Sequence, residues 1–261
     1  TIGKSHLQPF TDAMPAGRTP FQSGPIAEAW KPEPEDQTLE EPQRYRDEGR
    51  TAFSDNYYGY QHVDMVTSHG DRAGGHYFQW FRQQASKTCK DWTWYHDPEN
   101  ELPHNYSAYQ SYRTPIPEAL YPTFYIRDRA QEFIADRADQ EKPFFAFVSF
   151  PDPHHPFNPP GHYWDMYQPD QFDVPIRFSD HKHPVPPLQF QHEMKERGER
   201  PAVKQAPFMD DEQAIRETMA LTAGMITMVD DAIGGIVDTL KATGQFDNTV
   251  ICFNSDHGDY L

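Results

Sequence analysis

Apolar residues fall at helical spacing in two long stretches of this chain and as short unbroken runs in two others; between them the sequence has no period. Over residues 120–138, Phe124, Ile126, Ala130, Phe133 and Ile134 recur as one side of a helix, and Pro122 suits its first turn, where a missing N–H costs nothing. Over 211–243, Ile215, Met219, Thr222, Ile226, Val229, Ile233, Ile236 and Leu240 step by threes and fours, which predicts one apolar stripe along a long helix. Asp210 or Asp211 caps its start and Gly244 its end. A shorter helix fits 74–85, with Tyr77, Phe78 and Phe81 turned to a core.

The unbroken runs predict strands. Residues 142–150, Lys-Pro-Phe-Phe-Ala-Phe-Val-Ser-Phe, suit a strand covered on both faces of a sheet. Thr249–Phe253 reads as a second buried strand, with Cys252 as a small core residue inside it. The opening Thr-Ile-Gly-Lys-Ser-His-Leu resembles the end of a strand running into a loop. Strand, long loop, helix, strand is an α/β pattern. The first fifty residues, rich in Pro and Glu, read as a surface excursion, and residues 151–172 and 165–208 as proline-fixed loops. Both ends look cut, so 1–261 is expected to be part of one larger domain.

Charge narrows the function. The formal net charge is −17, and no basic face is visible, which argues against a nucleic-acid partner and an anionic membrane surface. A small anionic substrate stays open, because a pocket can be locally positive on an acidic protein. No apolar run is expected to reach the roughly 18 residues of a membrane span. Two cysteines, Cys89 and Cys252, make no disulfide framework and leave the compartment open, with Cys89 expected to be exposed.

In open α/β sheets ligands bind beyond the carboxyl ends of strands, and three expected strand ends carry polar residues. Lys4 and His6, two apart on an extended segment, face the same way. Together they suit an oxyanion, with an ammonium as point charge and an imidazole as donor or proton carrier. His154, in Pro153-His154-His155-Pro156, is aimed by prolines and suits a general acid; His155 is the weaker of the pair. Asp256 and His257 can both ligate a divalent cation. Taken singly, each of these motifs is also an ordinary loop or turn. Asp230-Asp231, His181-Lys182-His183 and Ser68-His69-Gly70-Asp71 are assigned no role. The aromatic loop residues Tyr57, Tyr58, Tyr60, Trp80, Trp92, Trp94 and Tyr95 are assigned mostly to packing, with an aryl or sugar pocket as the other use.

Taken in order, the three strand ends resemble the type I sulfatase family. The opening segment resembles its Gly-Lys-x-His-Leu element, residues 143–157 its apolar strand leading to Pro-His-x-Pro, and residues 247–261 its Ser-Asp-His-Gly stretch. Residues 117–134 and 219–240 are similar to its two intervening helices. The resemblance implies an alkaline-phosphatase-like α/β fold, a central mixed sheet flanked by helices, here truncated at both ends. It implies hydrolysis of a sulfate ester, or of a phosphonate or phosphate ester in related enzymes, with a non-catalytic binding domain as the remaining alternative. Carried over, Lys4 would hold the sulfuryl oxygens, His154 would protonate the leaving alcohol or bind a sulfuryl oxygen, and His6 would contact the nucleophile. Asp256 and His257 would be two ligands of a divalent metal, calcium first and manganese second. The resemblance does not extend to the Cys/Ser-x-Pro-x-Arg motif matured to formylglycine, nor to the paired aspartates of the metal site. This stretch alone is therefore expected to be inactive; a homo-oligomer is possible.

Overall fold

In the computed structural model, described over residues 1–5, 7, 38–47, 49–53, 57–201 and 209–258, short strands form one mixed sheet. Its order is β3 (Gly74–Gly75), β2 (Asp64–Thr67), β1 (Ile2–Lys4), β4 (Val148–Ser149). β1 lies parallel to both β2 and β4, with Ile2 opposite Asp64 and Val148, while β3 runs antiparallel to β2. The expected α/β class with a mixed sheet is therefore observed.

Adjacent strand residues point to opposite faces, and at β2 both faces are covered. Val66 packs with Ile2, Tyr77, Phe81, Tyr125 and Met228 in the main core. Met65, also fully buried, joins Tyr45 and Tyr57 in a smaller cluster. Helices α1 (His76–Thr88) and α2 (Pro122–Ala135) close the main core. Both agree with the periodicity: Tyr77 and Phe81 are buried, and Pro122 stands in the first turn of α2. Most of the aromatic loop residues pack as expected, with Tyr57 and Tyr95 buried and only Tyr58 and Trp94 markedly exposed. Cys89, expected outside, is half-buried against the main core.

Helix α3 (Pro186–Glu196) stands in a region expected as loop and buries none of its residues. Helix α4 (Glu212–Ala242) is the long helix expected. Asp211 caps it by accepting from the Ala214 N–H at 2.9 Å, and Gly244 follows its end at φ 70°. Its buried face coincides with the expected stripe only at Thr222 and Leu240. Ala214, Glu217, Leu221, Met225, Met228 and Ala232 are buried, whereas Ile226 is 54% exposed. The reason is close approach. A Cβ on Gly224 would stand 2.3 Å from the Tyr163 carbonyl oxygen, so the loop over α4 selects the face with the smallest residue. By length and composition α4 could cross a membrane, contrary to the sequence expectation. In the structure it packs on α2, where the Gln131 side chain donates to the Gly235 carbonyl at 2.9 Å.

Both unbroken apolar runs depart from expectation. Of residues 142–150 only Val148–Ser149 is a strand, and Phe145 is 77% exposed. Thr249–Phe253 is no strand; Val250 is 91% and Phe253 81% exposed, and Cys252 is exposed rather than core. An apolar run becomes a buried strand only when neighbours pair it and helices cover it. Among the described residues the sheet ends at β4, which pairs with β1 alone, and nothing pairs with 249–253.

Candidate functional site

Because β1, β2 and β4 are mutually parallel, their carboxyl ends open on one edge of the sheet. Lys4 ends β1, the Ser68-His69-Gly70-Asp71 turn follows β2, and the 151–158 loop follows β4. Glycines let these segments meet. Gly3 has φ 105°, and a Cβ there would lie 1.9 Å from the Ser149 carbonyl oxygen, so only glycine lets β1 approach β4 so closely just before Lys4. Gly70, at φ 54°, leaves no room for a Cβ, which would meet Asn158 Oδ1 at 2.8 Å and Pro156 Cγ at 2.9 Å.

The structure brings Lys4 and His154 together through His69. Lys4 Nζ lies 2.5 Å from His69 Nε2. The His69 ring stacks on the His154 ring, with centroids 3.6 Å apart and planes 5° from parallel. His155 flanks the pair, its ring centroid 4.0 Å from that of His154. Proton positions follow. Lys4 as an ammonium has only donors, so the facing nitrogen of His69 must accept. His154 Nδ1 lies 2.6 Å from the His155 carbonyl oxygen, which can only accept, so this nitrogen carries a proton. The proton chemistry of His154 is thereby directed to Nε2.

Charge at this edge is mixed. Burial holds the Lys4 ammonium below its usual range, against the upward pull of Asp256 and Glu40. Burial pushes Asp256 up, but the His257 N–H bond and the neighbouring His257 and Lys4 charges leave it below the usual carboxylate range. Asp256 thus belongs to the same electrostatic field as Lys4.

Buried polar groups hold the loops beneath. Asp71, almost fully buried, accepts from the Tyr112 hydroxyl and, at 2.9 Å, from Thr114 Oγ1. Asn158 Oδ1 accepts from the Tyr121 hydroxyl at 2.9 Å. Asp152 is buried, and burial pushes its carboxyl up to about 6 although Thr123 Oγ1 donates to it.

Asp256 and His257 are solvent-exposed rather than held at a strand end. His257 Nδ1 donates to the Gly258 carbonyl at 2.7 Å, and its Nε2 lies 3.6 Å from Asp256 Oδ2. Cation–ligand distances of roughly 2.3–2.6 Å put adjacent ligands about 3.3–3.7 Å apart, so the pair fits one edge of a divalent cation's shell. Among the described residues no third such side chain completes a group. His6 lies outside the described residues. His181, Lys182 and His183 are exposed.

His69 is the member that sequence reasoning passed over. The trace it left in the sequence is slight: a histidine two residues past the four-residue strand Asp64–Thr67, as His6 stands two residues past Lys4.

Comparison with known proteins shows the family. The sulfatase family profile matches residues 50–261. An arylsulfatase of Clostridium perfringens is 29% identical over 55% of this chain and 28% of its own length. The multifunctional alkaline phosphatase superfamily protein PehA of Trinickia caryophylli is 28% identical over 71% of the chain and 36% of its own length. A choline-sulfatase of Rhizobium meliloti is 30% identical over 47% of the chain and 23% of its own length. The matched stretch therefore spans between 23% and 36% of the length of these three relatives. With a family match over most of its residues, this chain belongs to the sulfatase family of the alkaline-phosphatase-like superfamily.

Proposed function

We propose that the protein containing this chain hydrolyses a sulfate ester of a small molecule, with Lys4 and His154 in the reacting site. The observation that carries the reading is the junction of the Lys4 ammonium with the stacked His69 and His154 rings at the strand ends. Sulfuryl transfer breaks the bond from sulfur to the ester oxygen while a nucleophile bonds to sulfur. Negative charge develops on the sulfuryl oxygens and on the departing oxygen. The Lys4 ammonium would hold the sulfuryl oxygens. His154, protonated on both nitrogens, would give its Nε2 proton to the departing oxygen and release a neutral alcohol. His6 would contact the nucleophile.

Neither cysteine lies in a Cys-x-Pro-x-Arg motif, since Cys89 precedes Lys-Asp-Trp and Cys252 precedes Phe-Asn-Ser. The nucleophile is accordingly assigned outside residues 1–261, in the formylglycine form. Asp256 and His257 would contribute two ligands to a divalent cation, calcium before manganese, whose charge would add to that of Lys4.

A second reading is a phosphonate or phosphate ester hydrolase, favoured by the similarity to PehA, a multifunctional alkaline phosphatase superfamily protein. A non-catalytic binding domain on the same fold is the third. The test is turnover of matched aryl sulfate and aryl phosphonate esters by the full-length protein. Faster sulfate turnover supports the proposal, faster phosphonate turnover replaces it with the second reading, and none on either favours the third. Residues 1–261 alone are expected to show no turnover of an aryl sulfate.

A further inference from the structure

We propose that His69 is a positioning residue that fixes Lys4 and His154 relative to each other, an inference resting on the hydrolase reading of the strand-end cluster. Two surfaces of one imidazole are in use. Its Nε2 edge meets Lys4 Nζ at 2.5 Å, and its face lies parallel to His154 at 3.6 Å. A lysine stem is flexible and its ammonium is a mobile point charge. Donating one of its three N–H groups to a fixed acceptor sets where the charge stands. A parallel ring at this spacing leaves His154 to turn only within its plane. The Nδ1–H bond to the His155 carbonyl then fixes that rotation and the direction of Nε2. The group assigned to hold the anion and the group assigned to protonate the alcohol are thus referred to one ring.

The backbone supports this use. Ser68 holds φ 59° and Gly70 φ 54°, so both neighbours of His69 are in the left-handed region. A non-glycine residue there is strained and persists only where surroundings dictate it. Those surroundings are visible. The Arg72 N–H donates to the His69 carbonyl at 3.2 Å, and buried Asp71 is tied by Tyr112 and Thr114. Gly70 lies against Pro156 and Asn158 of the His154 loop. The histidine is anchored to the loop it aligns.

The two surfaces can be removed separately. His69→Phe keeps a flat ring for His154 and loses the acceptor for Lys4. His69→Gln keeps an acceptor and loses the ring face. In the full-length protein acting on an aryl sulfate, His69→Phe is expected to raise KM about tenfold with kcat little changed. His69→Gln is expected to lower kcat about tenfold and to move the limb of the pH profile that reports His154, with KM little changed. Lys4→Met combined with His69→Phe should cost less than the sum of the two changes, because both remove one contact. Equal effects of both variants on kcat and KM, with additive combination, would overturn the assignment.

A readout independent of turnover is the ring nitrogen chemistry of His69 in the unmodified chain, observed by nitrogen-15 NMR. Nε2 is expected as the unprotonated acceptor with the proton on Nδ1, and Lys4→Met is expected to shift Nε2. A proton on Nε2 overturns the proposal even where sulfate turnover is found. The expected nitrogen states without turnover on either ester overturn the hydrolase reading and leave the positioning geometry standing.

Discussion

The α-carbon of Gly3 faces the carbonyl oxygen of Ser149 so closely that a Cβ would sit 1.9 Å from it, with φ at 105°. This contact seats β1 against β4 one residue before Lys4. Replacement by alanine combines a left-handed strain with a backbone collision that no rotamer relieves. Gly3→Ala is expected to destabilise the chain by about 2–4 kcal/mol. Chemical denaturation compared with the unmodified chain checks this, and a change below about 0.5 kcal/mol contradicts the packing described.

Along α4 the structure ranks neighbouring residues in an order that hydrophobicity does not. Met225 is fully buried with Leu221, Phe157 and Trp164, whereas Ile226 points outward. Met225→Ala is expected to cost about 2–5 kcal/mol and Ile226→Ser less than about 0.5 kcal/mol. Thermal unfolding of the two variants measures the contrast, and a reversed order would mean that the isoleucine stripe is the packed face.

This contrast shows what was legible in the sequence. The helices were legible because their signals are local: an apolar period, Pro122 at a first turn, Asp211 at a cap. Which face of α4 is buried was not, because the loop passing over Gly224 decides it, and that loop is 61 residues away from it at Tyr163 by chain position. Residues 143–147 and 249–253 have the composition of strands, but strand formation needs a partner that composition does not name. Lys4 and His154 were legible as residues following apolar segments. His69 was not, because β2 is only four residues long and its alignment with β1 is a long-range fact.

If His154 is the proton donor, its loss matters most where the departing alcohol is a poor leaving group. In the full-length protein, His154→Ala is expected to lower kcat on an alkyl sulfate by about 10²–10⁴. A nitrophenyl sulfate, whose phenolate leaves readily without a proton, should lose much less. Steady-state assays on both esters test the role, and equal losses would point to anion binding instead.

Asp256 and His257 supply two exposed donors 3.6 Å apart, and exposed donors compete poorly with water for a hard cation. Residues 1–261 are therefore expected to bind calcium and manganese weakly. Titration calorimetry with each metal alone is the measurement, and sub-micromolar binding by this chain would show that the remaining ligands lie within it.

Asp152 gives the chain a pH dependence whose sign can be worked out. Burial raises its folded-state carboxyl from an ordinary value of 3.8 to about 6. The folded state thus holds the proton more tightly than the unfolded chain does. The stability gained from this group is full below the unfolded value and is lost as pH rises through about 6. A shift of roughly two units corresponds to about 3 kcal/mol at most between pH 4 and 8. Asp152→Asn abolishes the titration whatever its own effect on packing. The stability difference, variant minus unmodified chain, should therefore move in favour of the variant by about 1–3 kcal/mol from pH 4 to pH 8. Denaturant titrations of both chains across that range decide it. A difference independent of pH would mean that the Asp152 carboxyl ionises as readily inside the fold as outside it.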